Sequence, residues 1–164
     1  MINKSKSHPL QFIGCFLFFV CLSSIPVLSF SQEHDSLLRE MEKNQAKSNN
    51  EKLYAQIQQV DEALLSRTLD FSLADNIRYV AIKMAYLNAM GEVEKGLALA
   101  DSLEKIPAYK SLPEEAWASV IYRKANIFLN QEKMLESSRS YQRAIQLFER
   151  QAKPNFSELA LCHN

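Results

Sequence analysis

"ANIFLNQEKMLESSRSYQRAIQLFER" fills residues 125–150 and holds neither glycine nor proline. Its apolar residues recur every three or four positions on both sides of the polar run 130–133. That period is the signature of two amphipathic helices joined by a tight turn. The reading that decides the fold is whether this hairpin stands alone or is one copy of a repeating unit.

The rest of the chain is punctuated in the same way. After residue 31 the only glycines are Gly91 and Gly96, and the prolines are Pro107, Pro113 and Pro154. No long alternation of β-branched residues appears, so the composition is all-helical. A short polar helix is expected over 36–47, with Leu37, Leu38 and Met41 as its apolar spots. A break at 48–50 follows, with Asn50 as a capping residue. Residues 51–68 place Leu53, Ile57, Val60 and Leu64 on one face. From Asn76 the pattern returns with Ile77, Val80, Met84 and Leu87, and Gly91 suits a left-handed stop. Val93, Leu97, Ala100 and Leu103 mark the next helix. An extended connector is expected over 105–113. Glu114 and Glu115 then suit the positive end of a helix carrying Trp117, Ile121, Ala125 and Phe128. The last strong stripe is Met134, Ser138, Tyr141, Ile145 and Phe148, and another helix begins after Pro154.

Aligning the turn at Gly91 with Glu132 superposes two hairpins 41 residues apart. Met84 falls on Ala125, Leu87 on Phe128, Gly96 on Ser137, Ala100 on Tyr141 and Leu103 on Ala144. The small Ala125 where two helices cross, Phe128 one turn later, and Tyr141 and Ala144 on the second helix resemble the tetratricopeptide repeat, a unit of about 34 residues. Small residues let helix axes approach and large ones fill the groove that results. Met84 is large for a crossing position, and Leu103 replaces the alanine. The surplus spacing falls in the 107–113 connector. The best unit is 118–150, the weaker one 77–105, and 36–68 is a degenerate pair. The expected fold is therefore all-α: stacked antiparallel helix hairpins, incomplete at the C-terminus. Either the segment after Pro154 is a short cap, or the chain is the front of a longer protein, which is the reading preferred here.

The N-terminus reads separately. Lys4 and Lys6 precede an uncharged stretch of 21 residues, Leu10 to Phe30. With small residues at Ser29 and Ser31, this is a secretory signal cleaved before Gln32. The competing reading is an uncleaved membrane anchor; Cys15 and Cys21 are badly placed for a lipoprotein. The expected division is a signal peptide over 1–31, a short polar segment over 32–50 and the repeat domain over 51–164. Of 19 basic residues, Lys4 and Lys6 leave with the signal; the 17 that remain face 19 acidic ones, a net charge of −2. That balance gives no reason to expect nucleic acid or anionic lipid as a partner. Only Cys162 remains after cleavage, so no internal disulfide can form.

No catalytic constellation is legible. His8 leaves with the signal, and His34 and His163 lie near the ends, so no Ser–His or Cys–His pair is supported. Cys162 and His163 are adjacent, poor geometry for chelating one metal. The acidic pairs Asp61–Glu62 and Glu92/Glu94 read as solvated surface. No phosphate-binding loop, cofactor site or metal cluster is expected. "NFS" at 155–157 matches a glycosylation triplet but arises often by chance.

What the resemblance implies is a binding surface. In tetratricopeptide proteins the face beside the packing stripe of each first helix lines a concave groove for peptides. Here that face carries Ser119, Tyr122, Asn126 and Asn130, and upstream Arg78, Ala81, Ala85 and Asn88. The expected partner-binding residues are Arg78, Asn88, Ser119, Tyr122, Asn126 and Asn130, able to bond a peptide backbone or carboxylate. The expected function is a protein- or peptide-binding module of an exported protein. It is similar to the N-terminal repeat region found ahead of sensor modules in Bacteroidetes-type bacteria. Two alternatives stay open: an enzymatic or small-molecule-binding helical bundle, and the remnant of a truncated gene.

Overall fold

A computed structural model describes the backbone of residues 25–152 and 156–163, and side chains over 32–152 and 158–162. Most of the leader segment and Asn155 of the glycosylation triplet lie outside the described residues, as does the side chain of His163. Two compact units are defined, 1–36 and 37–164. The described part of the first, 25–36, is the N-terminal portion of one helix. Among the described residues no helix is long and apolar enough to cross a membrane.

The chain is all-α. Helix α1 (Ile25–Ala46) is followed by α2 (Asn50–Leu65), α3 (Leu73–Ala89), α4 (Val93–Lys105), α5 (Ala118–Asn130), α6 (Met134–Arg150) and α7 (Phe156–His163). Helix α1 begins well before the expected Ser36 and runs across the Ser31–Gln32 bond. Caps account for two other shifted boundaries. Asn49, not Asn50, caps α2 by accepting from the Lys52 amide at 3.4 Å. Ser72 caps α3 by accepting from the Asp75 amide at 3.1 Å while its hydroxyl donates to the Asp75 carboxylate at 2.7 Å. That reciprocal cap starts the helix three residues before Asn76.

Three hairpins, α1–α2, α3–α4 and α5–α6, turn in the same way. Ser48, Gly91 and Glu132 have φ of 53°, 77° and 59°. In each turn the next residue's amide reaches back five positions. Asn49 bonds the Asn44 carbonyl at 2.9 Å, Glu92 that of Leu87 at 2.8 Å, and Lys133 that of Phe128 at 2.9 Å. The left-handed residue itself bonds the carbonyl three positions back, on Gln45, Asn88 and Leu129. This bond pair satisfies carbonyls that a helix end leaves without partners. Identical bonding at the 41-residue offset establishes the two later hairpins as register-equivalent. The 36–68 pair belongs to the same series.

The crossing points are equivalent too. The Ser137 hydroxyl donates to the Ala125 carbonyl at 3.0 Å. A Cβ on Gly96 would lie 3.8 Å from the Met84 carbonyl. The bulky Met84, fully buried, is thus offset by the absence of any side chain at Gly96. That Cβ would also meet Ile127 Cδ1 at 2.9 Å. In Gly96→Ala, overpacking of about 1–3 kcal/mol opposes a helix-propensity gain of about 1 kcal/mol. Because Ile127 is fully buried, the crowding prevails. Urea denaturation is expected to show a net loss of about 1 kcal/mol for Gly96→Ala. Removing Cδ1 with Ile127→Val should cancel that loss in a double-mutant cycle; additive effects would refute the contact.

Three buried clusters alternate with the helices. Leu38, Met41, Leu53, Ile57 and Val60 of the first hairpin pack with Phe71 and with Tyr79 and Ile82 of α3. Ile77, Val80, Ala81, Met84, Ala100 and Leu103 of the second pack with Val120 and Ile127 of α5. Ala118, Tyr122, Ala144, Leu147 and Phe148 of the third pack with Leu159 and Cys162 of α7. The first helix of each hairpin closes the core of the one before, so α3 and α5 are buried on two sides. This is the arrangement expected of units that cannot cover their own apolar faces.

Two expectations about α5, α6 and the segment before them are corrected. The 105–113 connector is not extended: Pro107–Ser111 and Glu114–Trp117 form 3-10 turns, so Glu114 and Glu115 open a 3-10 turn and α5 begins only at Ala118. Tyr109 is buried, meets Trp117 edge-on at 6.5 Å and accepts a bond from Asn76 Nδ2 at 2.6 Å. An aromatic with a bonded hydroxyl folds the connector onto the hairpin. The stripes of α5 and α6 are also displaced. Trp117, Ile121 and Phe128 are only half-buried, whereas Ala118, Val120, Tyr122 and Ile127 are buried. On α6 the buried set is Ser137, Ala144, Leu147 and Phe148, and Met134 is 60% exposed.

Candidate functional site

The first helices of the hairpins, together with α7, line a cavity of about 470 Å³. Glu42 and Gln45 come from α1, Arg78 and Ala81 from α3, Ser119 and Arg123 from α5, and Glu158 and Leu161 from α7. Each helix contributes residues three or four positions apart, which helical geometry places on one face.

Charge is paired along this groove. Arg78 grips Glu42 in a two-pronged pair, Nε at 2.5 Å and the second nitrogen at 2.7 Å. The two side chains are 28% and 42% exposed, so water screens them and the pair contributes little to stability. Deeper in, Arg123 donates to Glu158 at 2.8 Å and to Gln45 at 3.2 Å. Ser119 donates to the other Glu158 oxygen at 2.7 Å. Arg123 and Glu158 are only 11% and 14% exposed. The Arg123 guanidinium also lies over the Tyr122 ring, 4.8 Å from its centroid, which adds attraction to the ring face. Its Nε is buried with no hydrogen-bond partner among the described residues.

The six expected site residues divide. Arg78 and Ser119 line the groove. Tyr122 does not present itself to it: the residue is 5% exposed and packs in the third core, tilted on Tyr141 at 6.0 Å. Asn126 accepts from the Tyr141 hydroxyl at 2.5 Å. Asn130 donates to Asn88 at 2.9 Å, tying the ends of α5 and α3 together outside the groove. Arg123 and Glu158 are the residues that sequence reading missed. Their partners stand 35 and 78 positions from Arg123, beyond any local pattern.

Burial first, and then Glu158, push the Cys162 thiol up to about 11 against the opposing pull of Arg123. A thiol so placed is a poor nucleophile at neutral pH. Among the described residues no group of three His, Cys, Asp or Glu side chains converges to hold a metal.

A second ionic feature recurs with the hairpins. Lys83 of α3 reaches Asp61 of α2 at 2.5 Å. Lys124 of α5, 41 residues on, reaches Asp101 and Glu104 of α4 at 3.1 and 3.0 Å. Burial alone would lower the Lys124 ammonium, but its bonds to Glu104 and Asp101 prevail and raise it. The Tyr79 hydroxyl donates to Asp61 at 2.7 Å, and burial together with that carboxylate keeps the phenol protonated. Each first helix is thus stapled to the second helix of the preceding hairpin.

No protein-family model, curated protein or solved structure matches the chain.

Proposed function

We propose that this chain is a peptide- or protein-binding module of the tetratricopeptide type. It is exported after cleavage near Ser31–Gln32 and grips an extended segment in the groove lined by α1, α3, α5 and α7. In a signal-transduction protein it would serve as the sensory part. The observation that carries the reading is the row of Arg78, Ser119 and Arg123 along one groove, supplied by successive register-equivalent helices. Guanidinium and hydroxyl groups at that spacing match the carbonyls and carboxylates of a peptide. The Arg78–Glu42 pair is exposed enough to exchange Glu42 for a ligand carboxylate at small cost. A groove built on rigid helices binds through a few anchors rather than through area.

The test is a peptide-display selection on the full chain, followed by titration of the selected peptides. Arg78→Ala should weaken them by about tenfold, the effect of one charge-assisted bond. Helical circular dichroism should be unchanged. Selection of no peptide family, or families indifferent to both Arg78→Ala and Ser119→Ala, would refute the groove.

A further inference from the structure

A second concave surface lies between the second and third hairpins, away from the first-helix groove. It encloses about 600 Å³. Its floor is apolar, from Leu112, Trp117, Ile121 and Phe128; Lys110, Arg139 and Arg143 stand around it. A depression of about 350 Å³ shares Glu114, Arg139 and Arg143 with it and continues along α6 past Gln146 to Arg150. The eleven residues from Arg139 to Arg150 span about 16 Å, at about 1.5 Å per residue. That length accommodates three turns of a bound helix.

The repeat supplies an internal control. The register-equivalent groove between the first and second hairpins is lined by Lys83, Leu87, Ala98 and Ser102. Forty-one residues on, these positions are Lys124, Phe128, Arg139 and Arg143. The lysine is common to both grooves and belongs to the ionic staple, so the fold accounts for it. Arg139 and Arg143 replace an alanine and a serine that serve the same architecture, so packing does not require them. Arg139 is exposed and has no ion pair among the described residues. Arg143 and Arg150 share a single acid, Glu114, at 3.4 and 3.5 Å, with all three side chains more than half exposed. A chain of zero formal charge therefore concentrates uncompensated positive charge beside one apolar trough.

We infer that this groove docks an acidic segment of a partner protein, with a large apolar side chain against Trp117 and Phe128 and carboxylates on Arg139 and Arg143. Planar guanidinium groups grip carboxylates in two-pronged bonds, and a buried apolar anchor gives the contact its specificity. The site is independent of the peptide groove proposed above.

Trp117 is the only tryptophan of the chain, so the groove carries its own reporter. The probe is a fluorescein-labelled dodecapeptide of Glu and Asp with two central Phe residues, titrated into the full chain at low and high salt. Saturable binding is expected, with a blue shift of Trp117 emission in an unlabelled-peptide titration and weakening as salt rises. Arg139→Glu with Arg143→Glu should weaken it at least tenfold without lowering the melting temperature, while Arg78→Ala leaves it unchanged. Replacing both Phe residues by Ser should also weaken it about tenfold. Absent binding, binding that survives the double charge reversal, or an unresponsive Trp117 would each overturn the inference. So would concentration-dependent self-association abolished by the same reversal, since the occupant would then be a second copy of the chain.

Discussion

Phe148→Ala is expected to remove about 3–5 kcal/mol of stability, the range for deleting a fully buried aromatic. Phe148 is 0% exposed and sits among Ala118, Tyr122, Ala144 and Leu147. Two of its neighbours are alanines, whose short side chains cannot extend into the space left behind. The surrounding helices are held by the ionic staples and the turn bonds, so collapse is limited and the cavity persists. Domains of this size hold only about 5–15 kcal/mol in total, so the variant should lie near its unfolding midpoint at 37 °C. Thermal melts followed by circular dichroism check this. A loss under about 1 kcal/mol would mean that the third core is not packed as described. Phe148→Leu should recover more than half of the loss, because it restores most of the volume.

The second large effect concerns the last helix. Removing Glu158 leaves the Arg123 charge largely buried with Gln45 as its remaining polar side-chain partner. Breaking a buried ion pair from one side costs about 3–5 kcal/mol; with both side chains slightly exposed, about 2–3 kcal/mol is expected for Glu158→Ala. The cost falls on α7, because an eight-residue helix has no stability of its own. The helix should detach while the three hairpins stay folded. Cys162 then reports the event. Its thiol is raised from 9.0 to about 11, so at pH 8 its thiolate fraction is about a hundredfold below that of a free thiol. Alkylation of Cys162 should accelerate toward that factor in Glu158→Ala, with little change in helical signal. Arg123→Met combined with Glu158→Met should restore slow alkylation, since an apolar pair replaces the ionic one without an orphan charge. Unchanged alkylation in the single variant would show that the pair does not hold α7.

The linkage of that thiol follows the same logic. Its folded value is raised, so the proton is held more tightly when α7 is docked. The contribution to docking is complete below pH 9 and is lost as pH rises toward about 11.

Much of this architecture was legible in residues close together in the chain. A three-to-four-residue apolar period, a glycine or polar run every forty-odd positions and a lack of β-branched alternation specify helix hairpins. The left-handed turn at Gly91 could be read from the residue type. The equivalent turns at Ser48 and Glu132 could be read only by aligning the repeats, because neither residue type announces a positive φ. Caps were placed to within a few residues, since Asn49 competes with Asn50 and Ser72 precedes an otherwise loop-like run.

The faces of α5 were not legible, and the reason is physical. Its helix has apolar residues on nearly every side: Ile121, Ala125 and Phe128 on one, Ala118 and Tyr122 on another, Val120 and Ile127 on a third. Periodicity shows that such a helix is buried but not which side meets which neighbour. That choice was made by α3 and α4 on one flank and by α6 and α7 on the other. They drew Tyr122 into the core and left Trp117 and Phe128 on an open trough. The polar groups followed the same rule: Arg123 found Glu158 and Gln45 only because stacking brought α1, α5 and α7 to a common groove. Local spacing determined the units of this protein; contacts across tens of residues decided which of their surfaces remain free to bind.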